Sequence, residues 1–153
     1  MTELTTAVRE IEAAETLSLR HRVLRPQQSL EDCAYPLDGA PESYHLGCIM
    51  AGDLVGVASV YHEAPVGEDD PHAWRLRGMA VQEGARGYGI GRQLLEGIVE
   101  HVAGQDGAAV LWCNARVSAT SFYEAAGFTA RGEVFDLPPL GPHVVLARPV
   151  GAD

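Results

Sequence analysis

The stretch that decides the fold is Trp74-Arg75-Leu76-Arg77-Gly78-Met79-Ala80-Val81, followed by Gln82-Glu83-Gly84-Ala85 and then Arg86-Gly87-Tyr88-Gly89-Ile90-Gly91-Arg92. The first part, Trp74–Val81, reads as a strand. Beyond the glycines, apolar residues recur at Ile90, Leu94, Leu95, Ile98 and Val102, which line one face of a 3.6-residue period. The segment therefore predicts a strand, a glycine-rich loop and a long amphipathic helix that Gly104 and Gly107 end. Glycines in such a loop remove side chains that would keep a ligand from the backbone. The first N–H groups of the helix have no acceptor within it, and their partial positive charge favours an anion. Arg86 and Arg92 add formal positive charge at the two ends of the loop.

The surrounding chain says which anion loop this is. The order is not GxxxxGK[ST], and a chain with no lysine cannot form that phosphate loop. A nicotinamide-type GxGxxG opens the first βαβ unit of its chain, whereas here GxGxG (Gly87, Gly89, Gly91) follows a hairpin in mid-chain. A tight strand-to-helix turn that binds nothing is the alternative, and it leaves the two arginines unexplained.

Upstream, Thr5–Glu10 predicts a strand and Glu12–Arg25 a helix that stops at Pro26. Residues 26–41 are rich in turn formers. Tyr44–Met50 and Leu54–Tyr61 read as strand-like runs around Ala51-Gly52-Asp53, a hairpin signal. Downstream, Ala108–Asn114 predicts a buried strand. Ser118 is placed to cap a short helix with Ala119, Phe122, Tyr123 and Ala126 inward and Gly127 as its stop. Thr129–Leu137 and His143–Arg148 predict a closing pair of strands. The order β-α-β-β-β-α-β-α-β-β, with short connections and no repeat, describes one α/β domain over residues 1–153.

Composition narrows the function. The formal charge of −10 on 153 residues argues against nucleic-acid binding, which needs clustered cations. No apolar run approaches the ~20 residues of a membrane span, and the start of the chain has neither a basic region nor an apolar core of the secretory type. A cytoplasmic location and no membrane partner are expected. Cys33, Cys48 and Cys113 are scattered and odd in number, so they describe no disulfide framework, and the six histidines have no ligand spacing. No metal site is expected.

Arg86-Gly87-Tyr88-Gly89-Ile90-Gly91 resembles the R/Q-x-x-G-x-G/A signature of the GNAT superfamily of acyl-CoA N-acyltransferases. Leu76–Val81 is similar to its fourth strand, and Tyr123-Glu124-Ala125-Ala126-Gly127-Phe128 to its YExxGF helix end. The likeness is strong from Trp74 to Phe128. It implies a mixed central sheet of about six to seven strands, splayed between strands 4 and 5, with helices on both faces. It also implies acetyl-CoA as co-substrate, held by backbone groups of Met79, Ala80 and Val81 along the pantetheine arm. The pyrophosphate would rest on Arg86, Gly87, Tyr88, Gly89, Ile90, Gly91 and Arg92. Asn114 would serve the pantetheine or a strand bulge, and Arg116 is the other residue at this point that would face ligand. Tyr123 aligns with the general acid of the family, although on its own it also reads as a core tyrosine.

The general base is open. Many relatives carry a glutamate where this chain has Arg77, and arginine cannot act as a base. His62, Glu63, Glu133 and His143 are the replacements, with His143 put first because histidine titrates near neutral pH; a proton relayed through water needs none of them. Arg20-His21-Arg22 with Arg25, Arg75 and Arg77 reads either as a solvated helix face or as a holder for an anionic part of the acceptor. The implied activity is transfer of an acetyl group to the primary amine of a small molecule through a ternary complex. A protein N-terminus or lysine as acceptor, a non-catalytic acyl-CoA-binding regulator and a domain without ligand are the other readings. Dimers are common in the superfamily, so a homodimer through the closing strands is one arrangement the resemblance allows.

Overall fold

The computed structural model describes residues 5–151. Its elements are β1 (Thr6–Glu10), α1 (Ala13–Leu19), β2 (Tyr44–Met50), β3 (Asp53–His62), β4 (Ala73–Val81), α2 (Ile90–Gln105), β5 (Ala108–Arg116), α3 (Thr120–Glu124), β6 (Thr129–Leu137) and β7 (Gly141–Gly151). The seven strands hydrogen-bond in the order β1-β2-β3-β4-β5-β7-β6. The β4–β5 pair is parallel, and β1–β2, β2–β3, β5–β7 and β6–β7 are antiparallel. This is the mixed α/β architecture that the sequence predicts. Among the described residues no helix is long and apolar enough to cross a membrane.

The chain forms two compact units. One takes in the chain up to Tyr61 together with Leu76–His101; the other takes in His62–Arg75 and the chain from Val102. In the first, Ala51 (φ 53°) and Gly52 (φ 86°) close the β2–β3 hairpin with two left-handed residues, the turn whose twist matches that of the strands. Helix α2 buries Ile90, Leu94, Leu95 and Ile98, worth roughly 1.5–3 kcal/mol each. It comes close because a glycine stands on each side of the contact, Gly56 on β3 and Gly97 in the helix. A Cβ on Gly56 would lie 2.7 Å from the Ile90 side chain, and one on Gly97 would lie 2.5 Å from Leu46. Ile11, Leu19, Val57 and Ala80 form a second core cluster.

In the second unit β5 and β7 pair over nine residues, from Ala108↔Gly151 to Arg116↔His143. Ala73, Trp74 and Arg75 of β4 pair with Val110, Leu111 and Trp112. Ala73, Trp112 and Ala147 are the core on one side of this ladder.

The structure revises several boundaries. The first helix is regular only to Leu19; Arg20–Leu24 is a π-helical turn, with the Arg25 N–H on the Arg20 carbonyl at 3.0 Å. Ser118 does not cap α3: it lies in a 3-10 turn, Val117–Ala119, and no side chain caps the helix that follows. Phe122 is 38% exposed, so it is not on the inner face. Gly104 is inside α2 and does not end it.

Candidate active site

In the first unit β4 leads into the glycine loop. The Gln82 N–H donates to the Val55 carbonyl at 2.8 Å, and a 3-10 turn, Glu83–Ala85, buries Ala85. Arg86, Gly87, Tyr88 and Gly89 then run exposed. Gly87 has φ 92° and Gly89 φ 74°, a region other residues enter only with strain. A Cβ on either would meet nothing within 4 Å, so the backbone angle, not crowding, requires glycine. The first helical hydrogen bond runs from the Gln93 N–H to the Gly89 carbonyl at 3.1 Å. The N–H groups of Ile90, Gly91 and Arg92 therefore have no acceptor inside α2. These amides, with an open loop whose Gly87 and Gly89 carry no side chain before a sixteen-residue helix, fit a pyrophosphate. Arg92 contributes less than its sequence position suggests, because its exposed Nε pairs with Glu96 at 3.2 Å.

On β4 Met79 and Val81 are half-buried and Ala80 is in the core. Ala80 thus offers a ligand its main chain and not its side chain. Gly78, with φ 69°, is required twice over. A Cβ there would lie 3.0 Å from the Tyr35 ring and 3.1 Å from Arg20 Nε.

Behind that glycine lies a polar network that the sequence reading did not find. Arg20 is fully buried. It grips Asp38 with two hydrogen bonds, at 2.7 and 3.0 Å, and donates to the Cys33 carbonyl, Ser59 Oγ and Tyr61 Oη. Tyr61 donates to Asp38 as well. His45 Nε2–H donates to the Asp38 carbonyl at 3.0 Å, so its Nδ1 accepts from Ser59 Oγ at 2.7 Å. Burial alone would raise the Asp38 pKa; the hydrogen bonds from Arg20, Tyr61 and the Tyr35 amide outweigh it and hold the carboxyl below its ordinary value. The Tyr35 ring carries Arg20 and Arg77 guanidinium groups, each 3.9 Å from its centroid. Arg20 is therefore neither a solvated residue nor a free cation for a ligand. One signal was present: position 20 lies on the buried stripe of Thr16, Leu19 and Val23 by helical spacing.

The second unit holds Tyr123, Asn114 and His143. Tyr123 is 9% exposed and packs edge-on against Phe128 at 5.5 Å and Phe122 at 5.0 Å. Burial, with the nearby Cys113 thiol adding to it, pushes the phenol above its ordinary pKa. Burial also raises Cys113 to about 12, so neither group carries charge near neutral pH. Asn114 is on the other face of β5, paired with Val145, and half-buried. His143 is 4% exposed, opposite Arg116 on the ladder. Its Nδ1–H donates to the Gly141 carbonyl at 2.8 Å, which leaves the lone pair on Nε2. The other base candidates lie elsewhere: His62 is exposed beside Trp74, and Glu133 is exposed on β6.

Asn114 also lines a cavity of about 610 Å³. Trp112, Phe135, Leu137 and Val145 give it apolar walls, and Glu63, Glu68, Arg75 and Arg131 supply its charges. Among the described residues no group of three or more His, Cys, Asp or Glu side chains is placed to hold a metal ion.

Comparison with known proteins shows the family. The family model described as an acetyltransferase (GNAT) domain matches residues 13–136. The uncharacterized N-acetyltransferase YitI of Bacillus subtilis (strain 168) is 39% identical over 141 residues, 92% of this chain and 94% of YitI. The crystal structure of Escherichia coli ElaA matches with a TM-score of 0.74 at 22% identity, covering 94% of this chain and 99% of ElaA. An aminoglycoside 6'-N-acetyltransferase solved with coenzyme A gives 0.73 at 15% identity, covering 94% and 96%. The chain belongs to the GNAT family of acetyltransferases. It is accordingly an acyl-CoA-dependent acetyltransferase, and its family uses acetyl-CoA as the acyl donor.

Proposed function

We propose that the chain moves the acetyl group of acetyl-CoA onto the primary amine of a small molecule, which attacks the thioester directly. The observation that carries this reading is the exposed loop of Gly87 and Gly89, which opens α2 with three amides unpaired by the helix. Arg86 to Arg92 bind the pyrophosphate through those amides. Main-chain groups of Met79, Ala80 and Val81 bind the pantetheine arm, and Ala80 contributes nothing else because its side chain is in the core. Acetyl-CoA supplies the activated acyl group.

Tyr123 is the proton donor to the departing thiolate. Its raised pKa keeps the phenol protonated throughout the physiological range. A free thiol titrates near 8.5, so even to the fully departed thiolate the transfer is uphill by at least about 2 kcal/mol, and to sulfur still bonded to carbon it is uphill by more. The proton therefore moves late, with thiolate departure. His143 accepts the proton of the amine at Nε2, the nitrogen that its hydrogen bond to Gly141 leaves basic.

The test is calorimetric titration with acetyl-CoA of the wild type and of Gly89→Glu, with circular dichroism as a control of folding. The variant puts negative charge where the pyrophosphate should rest. Its affinity should fall at least about 100-fold, or 2.7 kcal/mol. A wild type that does not bind acetyl-CoA would end this reading.

A further inference from the structure

The cavity of the second unit has a charge pattern unlike the rest of the chain. The protein carries −10 overall, yet two carboxylates and two guanidinium groups balance here, Glu63 against Arg75 at 3.3 Å and Glu68 against Arg131 at 3.2 Å. Apolar side chains, including Trp112, Phe135 and Leu137, form the remaining wall. A volume of about 610 Å³ is within the usual range for a small-molecule site.

Arg75 is the incomplete member. Its side chain is 17% exposed, and its guanidinium lies over the Trp112 ring at 5.0 Å. Its contact with Glu63 is long for a charged pair, and its Nε has no hydrogen-bond partner. Guanidinium offers five donors in a planar fork that matches a carboxylate edge. Glu63 is fixed at the same wall by its own carbonyl, which accepts from Trp112 Nε1 at 2.7 Å, while its carboxylate stays partly exposed. A simple ammonium ion entering the cavity would engage Glu63 and leave Arg75 less satisfied than before. A simple carboxylate would do the reverse. A molecule carrying both charges exchanges the long internal pair for two external ones and keeps the site neutral.

We propose that this cavity binds a free α-amino acid with an apolar side chain, its carboxylate on Arg75, its ammonium on Glu63 and its side chain against Trp112 and Phe135. The assignment of that amino acid as the acetyl acceptor rests on the function proposed above; the binding itself does not.

The experiment titrates the protein with L-phenylalanine, L-phenylalaninamide, 3-phenylpropanoate and glycine without acetyl-CoA, by calorimetry and tryptophan fluorescence. Release of free thiol is then followed with acetyl-CoA present. Phenylalanine should bind at least about tenfold more tightly than each analogue, since a site built around a polar group discriminates against its loss. In Arg75→Gln the preference over phenylalaninamide should vanish while affinity for the amide stays; a variant that merely misfolds would lose both. Equal binding of acid and amide by the wild type, or no binding of phenylalanine, overturns the inference. Preferential binding without acetylation keeps the site and removes the acceptor reading. Acetylation of phenylalaninamide as fast as phenylalanine keeps the transferase and removes this cavity as its acceptor site.

Discussion

Replacing Asp38 with asparagine tests the network behind β4. The substitution is nearly isosteric, so packing changes little and charge changes fully. Arg20 is 0% and Asp38 11% exposed at the side chain. The new amide could keep one acceptor for the guanidinium, but its NH2 group would face an Arg20 nitrogen, donor against donor. The guanidinium would remain buried on three neutral oxygens, those of Cys33, Ser59 and Tyr61. Breaking a buried ion pair by removing one partner costs about 3–5 kcal/mol. At about 2–4 °C per kcal/mol for a chain of this size, the melting temperature should fall by roughly 6–20 °C. Urea denaturation and thermal melts at pH 7 give both numbers. The pH dependence carries a sign. Because the Asp38 pKa is lowered by folding, its stabilisation is complete above the unfolded value near 3.9 and is lost as pH falls through the lower folded value. The gap between wild type and variant should therefore narrow in acid. A loss below about 1 kcal/mol at pH 7, or a gap that stays constant down to pH 2, would refute the reasoning.

Two further substitutions separate chemistry from scaffold. Tyr123→Phe keeps the ring against Phe128 and removes only the O–H. Turnover should drop roughly 10²–10⁴-fold with acetyl-CoA affinity within about twofold, and an unchanged kcat would take Tyr123 out of the mechanism. Because burial raises this phenol, the rate of the wild type should show no falling limb from Tyr123 below about pH 10. Gly78→Ala should destabilise the fold by roughly 1–3 kcal/mol, since φ is 69° and the Tyr35 ring stands 3.0 Å from the added carbon; a neutral result in urea would show that Tyr35 and Arg20 give way.

The regular elements were legible because their periods are local. Tyr44–Met50 and Thr129–Leu137 are strands over the residues that the sequence predicts, and the glycine loop opens a helix at Ile90. What stayed hidden depends on partners distant in sequence. Arg20 looks like a surface cation until Asp38, Ser59 and Tyr61 converge on it across up to forty-one positions. Ser118 has the right chemistry for a cap, but the chain tightens into a 3-10 turn there and the helix begins two residues later. Arg75 and Arg77, adjacent on one face by alternation, have different fates: one lies against Trp112 and the other on Tyr35. Of the candidate site, the glycine-rich loop was readable because its glycines lie close together in sequence. The cavity was not, since its walls come from five separate stretches of chain.

Every side-chain cation in this protein other than histidine is a guanidinium. In the Arg20 network that is a matter of geometry, because an ammonium group could not reach five acceptor contacts in a plane. For a member of an acetyltransferase family, the same choice has a chemical side. It exposes no ε-amino group to an acyl donor, so no side-chain amine can be capped and no side-chain charge lost as thioester accumulates. Its side-chain cations are closed to the very modification its family delivers.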